Sequence, residues 1–137
     1  MTEARKPRVL LADDNAAMLE VVCKILANDY EIVGALRNGR AVLREYPRLR
    51  PDVVLLSMSI GGLSGIEVAQ ELRNSCHDAH IVLVAVEEEP EFVTAAIGSG
   101  ASAYVSRFRL GNDLLFAIRA ALVNRLYVSP TLLYQPQ

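Results

Sequence analysis

The chain has 137 residues, a formal net charge of −2 and an isoelectric point near 5.7, with 52% apolar and 22% charged residues. That length suits one domain, and the apolar share supplies a packed core and argues against a disordered chain. The charge balance offers no basic field that would draw the chain to nucleic acid, and no apolar run approaches the roughly 20 residues of a membrane span.

Residues 1–8 are charged and lack the apolar stretch of a signal peptide, so a cytoplasmic location is expected. Residues 9–12 are a short apolar run that stops at Asp13 and Asp14, as a buried strand ending at a polar edge would. A helical pattern follows, with Asn15 as its N-cap and Met18, Val21, Val22, Ile25 and Leu26 on its inner face. Residues 30–36 read as a second strand. Residues 38–46 read as a short second helix with Val42, Leu43 and Tyr46 inward. The run 52–56 is continuous and β-branched, which suits a parallel strand buried on both faces, and it ends at Ser57.

A loop over 58–63 holds Gly61 and Gly62. Ser64 and Glu67 then have the spacing of a capping box and open a third helix. Residues 81–86 form another apolar strand. Pro90 suits the first turn of a fourth helix starting near Glu89. Residues 102–105 read as the fifth strand. Residues 110–123 read as the fifth helix, with Leu114, Ile118, Ala121 and Leu122 inward. Cys23, in a helical pattern, is expected in the core and Cys76 in a loop. Two cysteines so spaced suit neither a disulfide framework nor a zinc site.

Five strand–helix pairs in strict alternation imply a parallel sheet with helices on both faces, and a site beyond the carboxyl ends of the strands. That rule selects Asp13 and Asp14, Ser57, Ala85 and Arg107. Two adjacent carboxylates repel unless a cation lies nearby, either a hard ion such as Mg2+ or a side chain such as Arg107. The plain alternative is a solvated loop that caps the first helix.

Four ordered stretches resemble the receiver domains of two-component response regulators, and the NarL/LuxR type most closely. They are Val9-Leu-Leu-Ala-Asp-Asp-Asn15, Pro51-Asp-Val-Val-Leu-Leu56, Gly62-Leu-Ser-Gly-Ile-Glu67 and Gly100-Ala-Ser-Ala-Tyr-Val105; residues 110–130 match the last helix and exit. The resemblance covers residues 7–130 and implies a flavodoxin-like (βα)5 doubly wound sheet with strand order 2-1-3-4-5.

In that family an aspartate ending strand three takes a phosphoryl group from a kinase phosphohistidine. An acidic pair helps it hold Mg2+, a strand-four Ser or Thr and a strand-five Lys contact the phosphoryl group, and a strand-five aromatic moves with them. By resemblance, Asp13 and Asp14 are the acidic pair, with Asp14 the more direct metal ligand, and Tyr104 is the switch aromatic. Three positions depart from the pattern: Ser57 stands for the phosphoacceptor, Ala85 for the Ser or Thr, and Arg107 for the lysine.

A serine hydroxyl needs an activating base where a carboxylate does not. Ala85 removes one donor, and Ser57 removes one anionic ligand, so any Mg2+ site is expected to be weak. Arg107, with a fork that can make two parallel bonds to one carboxylate, either pairs with Asp13 or Asp14 in the cation's place or points to solvent.

The expected function is therefore that of a pseudo-receiver, with no enzymatic activity and no cofactor beyond weak Mg2+. It would act by protein contact with a sensor kinase, its own output domain or another regulator, with a homodimer as a further option, and without touching nucleic acid or membrane itself. The rivals are an unconventional phosphoacceptor modified at or near Ser57, and a small enzyme or ligand-binding domain on the same fold. Against the last, the turn 13–16 has no glycine for a nucleotide loop.

The acidic run Glu87, Glu88, Glu89 and Glu91 is either a solvated helix start or a partner surface. Arg44, Arg48 and Arg50 suggest a solvated basic helix end. Phe108 is a candidate for exposure beside Phe92, Tyr104 and Phe116. Residues 1–125 read as the receiver-like domain and 126–137 as a tail or the start of a linker. A NarL/LuxR-type regulator would continue into a DNA-binding domain, so the chain is a stand-alone receiver or a fragment of a transcription regulator.

Overall fold

The computed structural model describes residues 5–76 and 78–129. Strands and helices alternate as β1 (Arg8–Ala12), α1 (Ala16–Leu26), β2 (Glu31–Leu36), α2 (Gly39–Leu49), β3 (Val53–Ser57), α3 (Gly65–Ser75), β4 (Ile81–Ala85), α4 (Pro90–Gly98) and β5 (Ala103–Ser106). A 3-10 turn (Arg107–Arg109), α5 (Leu110–Leu122) and β6 (Tyr127–Val128) complete the fold. All strand pairs are parallel, in the order β2-β1-β3-β4-β5-β6. The flavodoxin-like order 2-1-3-4-5 is thus present, extended by one edge strand.

The continuous apolar strands are explained by their two packed faces. Leu10, Leu56, Leu83 and Tyr104 lie on one face with Val42 of α2, Val68 and Leu72 of α3 and Ala96 of α4. Leu11, Leu55, Val82 and Val105 lie on the other with Val22 and Leu26 of α1 and Leu114 and Ile118 of α5. Side chains alternate across a strand, so each central strand feeds both cores and needs apolar residues throughout.

The predicted caps form. Asn15 Oδ1 accepts the Met18 N–H at 3.2 Å. Ser64 and Glu67 close a reciprocal capping box, each bond 3.2 Å long. Pro90 lies in the first turn of α4.

Several expectations need correction. Val21, expected inward, is 45% exposed, because α1 turns Val22 and Leu26 to the sheet and leaves Val21 on the rim. Val86 is also exposed, one residue beyond the end of β4. The helix expected to stop at Tyr46 runs through Pro47 to Leu49. Proline in the last turn forfeits one backbone bond, and Leu49 gains contact with the core. The helix then closes with Arg50 in the left-handed region (φ 49°), its N–H donating to Tyr46 O at 3.0 Å.

The largest difference concerns the stretch expected to begin a linker at residue 126. Tyr127–Val128 form β6 beside β5, and Ser129 is fully buried. Residues 130–137, the rest of that stretch, lie outside the described residues. Arg48 pairs with Glu45 and, with Arg50, lines an open basin of about 860 Å3 at the amino ends of the strands, opposite the acidic pair. Cys23 packs at the edge of one core, half-buried, and Cys76 caps α3; both are free thiols. Among the described residues no helix is long and apolar enough to cross a membrane.

Candidate functional site

Each site residue is delivered by the end of a central strand. Asp13 follows β1, and its N–H donates to Leu36 O of β2 at 3.0 Å, which carries the sheet one residue past the strand. Ser57 is the last residue of β3 and Ala85 the last of β4; both are buried. Gly65 lets α3 start hard against this edge. A Cβ there would lie 2.5 Å from Ser57 O and 2.9 Å from Met58 Cα. Only glycine fits, and its N–H donates to Met58 O at 3.1 Å.

Asp13, Ser57 and Arg107 converge. Asp13 is 7% exposed and Ser57 3%. Arg107 Nη2 donates to Asp13 Oδ2 at 3.1 Å and to Ser57 Oγ at 3.0 Å. The other Asp13 oxygen, Oδ1, accepts the Asn15 N–H at 3.0 Å, and Ser57 Oγ accepts the Ser59 N–H at 3.2 Å. Arg107 therefore turns inward, and toward Asp13, not Asp14. The expected two-pronged grip on one carboxylate is replaced by one nitrogen shared between a carboxylate and a hydroxyl.

Burial pushes the Asp13 pKa above the ordinary carboxylate value, more than the Asn15 N–H and the Arg107 charge pull it down; the Asp14 carboxylate adds to the rise.

Asp14 is exposed. Its backbone carbonyl is held by Arg37, through Nε at 3.2 Å and Nη2 at 2.7 Å. Arg37 was not singled out from sequence, since nothing in its local pattern marks a contact to a loop 23 residues away. Donors for a hard cation are few. One Asp13 oxygen is bonded to Asn15 and the other to Arg107, and Ser57 supplies a neutral oxygen. Among the described residues no three His, Cys, Asp or Glu side chains cluster closely enough to share a metal ion. As arranged, the donor set does not fit a Mg2+ ion.

Tyr104 is fully buried, and its hydroxyl donates to Glu87 O at 2.7 Å. Burial, and then the charges of Glu87, Glu89 and Glu88, push its pKa well above the usual phenol value. Ala85 offers only a methyl group to the site. A space of about 20 Å3 remains among Ser57, Ala85, Glu87 and Arg107. Among the described residues, Glu87 Oε2 and Arg107 Nε are buried without a hydrogen-bond partner. Glu88, Glu89 and Glu91 are exposed at the start of α4, and Phe108, on the turn that carries Arg107, is 74% exposed.

A crevice at the carboxyl edge of a parallel sheet, with an acidic residue after β1 facing the end of β3 and a cationic side chain after β5, can now be set against known proteins. Residues 9–119 match the family model for the response regulator receiver domain. The chain belongs to that family.

Curated relatives of this receiver domain include the response regulator GacA of Pseudomonas viridiflava, 31% identical over 130 residues. The match takes in 93% of this chain and 61% of the relative, so the chain spans about three fifths of the length of such relatives. The DNA-binding transcriptional activator EvgA of Escherichia coli is 26% identical over 82% of the chain and 55% of its own length. Among solved structures, a LuxR-family response regulator from Aurantimonas sp. superposes with a TM-score of 0.89 at 26% identity, covering 94% of each chain. The receiver domain of the NarL regulator of Mycobacterium tuberculosis gives 0.84 at 26% identity, covering 89% of this chain and all of that one. The family and fold expected from sequence are those found.

Proposed function

We propose that this receiver domain works in two-component signalling as a pseudo-receiver, by protein contact and without phosphoryl transfer at Ser57. The observation that carries this is the bridge from Arg107 to Asp13 and Ser57. A hydroxyl oxygen has two lone pairs. On Ser57 both are engaged, one by Arg107 and one by the Ser59 N–H. Attack on phosphorus needs a free lone pair on an activated oxygen, and hydrogen bonds from a cation withdraw electron density from it. Among the described residues no hydrogen bond joins Ser57 Oγ to a carboxylate or imidazole that could act as its base. Ala85 supplies no donor to a transferred phosphoryl group, where pre-placed charge stabilisers are the main source of rate.

In this reading Arg107 stands where a cation would, and Mg2+ binds at Asp13 and Asp14 too weakly to saturate at millimolar concentration. Signalling rests on differential contact: a partner that prefers one arrangement of the domain shifts its population. The partner class is a sensor kinase, an output domain of the same protein or another regulator, with a second copy of the chain as a further candidate. The domain is not itself an enzyme in this account, and it acts inside the cytoplasm without direct contact to nucleic acid.

The test is the intact mass of the chain after incubation with acetyl phosphate and Mg2+, beside a Ser57→Asp variant. The native chain is expected to keep its mass. Gain of one phosphoryl group by the variant alone identifies Ser57 as the main block, and gain by neither implicates Ala85 and Arg107 as well. A labelled native chain would overturn the proposal and favour an unconventional phosphoacceptor.

A further inference from the structure

Two arginines in the same 3-10 turn reach in different directions. Arg107 grips the pocket at Asp13 and Ser57. Arg109 donates through Nε to Asp113 Oδ2 at 2.8 Å and through Nη2 to Oδ1 at 3.1 Å, a two-pronged pair. Asp113, in the first turn of α5, is only 2% exposed; against the effect of burial, Ser129 and Tyr127 lie near enough to help Arg109 hold its pKa below the ordinary carboxylate value, and Tyr127 packs against the core on the α5 side.

The same cluster holds the exit of the domain. Ser129 Oγ accepts the Ser106 N–H at 2.9 Å, and the Ser129 N–H donates to Tyr104 O at 3.0 Å. The backbone bond from Tyr127 N–H to Ser102 O is long, at 3.4 Å. A two-residue strand at a sheet edge gains little from its ladder, so the side-chain tie of Ser129 to Ser106 and the packing of Tyr127 on the core beside α5 matter to its hold. Ser106 is the joint between the arms. It is fully buried, its N–H is spent on Ser129, and its Oγ accepts the Phe108 N–H at 3.3 Å inside the turn. Because β6 runs parallel to β5, the chain leaves Ser129 at the same edge of the sheet as the pocket.

We propose that the turn Arg107–Arg109 is a two-armed clamp that couples the pocket at Asp13 and Ser57 to the exit strand: releasing Arg107 from the pocket loosens the hold of Arg109 and Ser106 on Asp113, Tyr127 and Ser129. The coupling does not depend on whether Ser57 is ever phosphorylated. Any event that draws Arg107 away has the same effect, whether a new charge beside Ser57 or a partner that binds the turn at Phe108. The two arms share one three-residue backbone segment capped by Ser106, so a shift of the backbone at Arg107 is passed on to Ser106 and Arg109. Linkage also makes the effect reciprocal: loosening the exit strand must disturb the pocket.

The test is NMR-detected hydrogen exchange on the 137-residue chain. Asp113→Asn is expected to speed exchange of the Tyr127 and Ser129 amides at least tenfold, with Leu10 and Leu55 unchanged. Arg107→Ala, which removes side-chain bonds to Asp13 and Ser57 and leaves Asp113, Tyr127 and Ser129 in place, is expected to speed the same two amides several-fold. In the reverse direction, Asp113→Asn should shift the Asn15 and Ser59 amide resonances, which report Asp13 Oδ1 and Ser57 Oγ. Native exchange at Ser129 in a folded Arg107→Ala variant would overturn the clamp, as would native exchange in Asp113→Asn. Should Arg107→Ala lose protection throughout the sheet, the reverse arm decides: shifted Asn15 and Ser59 resonances support the clamp, and unshifted ones overturn it.

Discussion

Arg107 and Asp13, 94 positions apart in the chain, form an ion pair at 3.1 Å across the carboxyl edge of the sheet. Both side chains are largely removed from solvent, at 23% and 10% exposure, so breaking the pair costs more than breaking a surface bridge, whose median worth is about 0–1 kcal/mol. Removing one partner leaves a half-buried charge alone. Arg107→Ala should cost about 1–3 kcal/mol. In the Asp13→Asn background the same substitution should cost less, because the charge it strands is gone. Urea unfolding of the two single variants and the double variant measures the coupling, and additive losses would show that the pair contributes nothing.

Acid should release the exit strand before it melts the sheet. Burial raises the Asp113 pKa, but hydrogen bonds from Arg109 and Ser129 outweigh it and leave the carboxyl below its ordinary value of 3.8. A carboxylate held low in the fold stabilises it above the unfolded value and loses that contribution as pH falls through the folded value. Between about pH 5 and the acid limit of folding, the urea midpoint of the native chain should therefore fall as pH drops. Asp113→Asn should be less stable at neutral pH and show a flatter acid limb. Parallel pH profiles for the two chains would contradict the assignment.

Gly65 sets the distance between α3 and the end of β3. A Cβ at that position meets Ser57 O at 2.5 Å, and the obstacle is backbone, which cannot swing away. Gly65→Ala should destabilise the fold by about 1–3 kcal/mol, as overpacking does, and push Ser57 out of reach of Arg107. A thermal melt and the Ser59 amide resonance report the two effects. A variant as stable as the native chain would mean that α3 can recede at no cost.

Tyr104 ties β5 to the acidic loop through its hydroxyl on Glu87 O. Tyr104→Phe keeps the ring in the core and deletes only that bond, at a cost of about 0.5–1.5 kcal/mol. Hydrogen exchange should rise over residues 87–92 and stay unchanged in β1 and β3. A rise spread over all strands would place the role of Tyr104 in core packing.

The strand ends were legible because each buried run stops abruptly at a polar or small residue. That alone puts Asp13, Ser57, Ala85 and Arg107 along one edge. What Arg107 does there was not legible. Its contact to Ser57 spans 50 residues and depends on a side-chain direction that no local pattern encodes. The exit strand was missed for a related reason. Tyr127 and Val128 are flanked by exposed Leu126 and by Pro130, a composition that suits a linker, and their place in the sheet comes from Ser106 and the core beside α5, which lie elsewhere in the chain. The i,i+4 spacing of Arg109 and Asp113 was the one local signal available. Val21 was misplaced because a helix that packs on a sheet buries a narrow stripe, and a residue at its rim satisfies the period without being covered.

The central claim is that Arg107 stands where a cation would, and a calorimetric Mg2+ titration tests it most directly. The native chain should show no saturable binding through millimolar Mg2+, and its Asn15 and Ser59 amide resonances should stay in place. Ser57→Asp combined with Arg107→Ala, which adds a carboxylate and withdraws the guanidinium, should bind. Tight, saturable binding by the native chain, with shifts at Asn15 and Ser59, would contradict the claim and return Asp13 and Asp14 to the role of metal ligands.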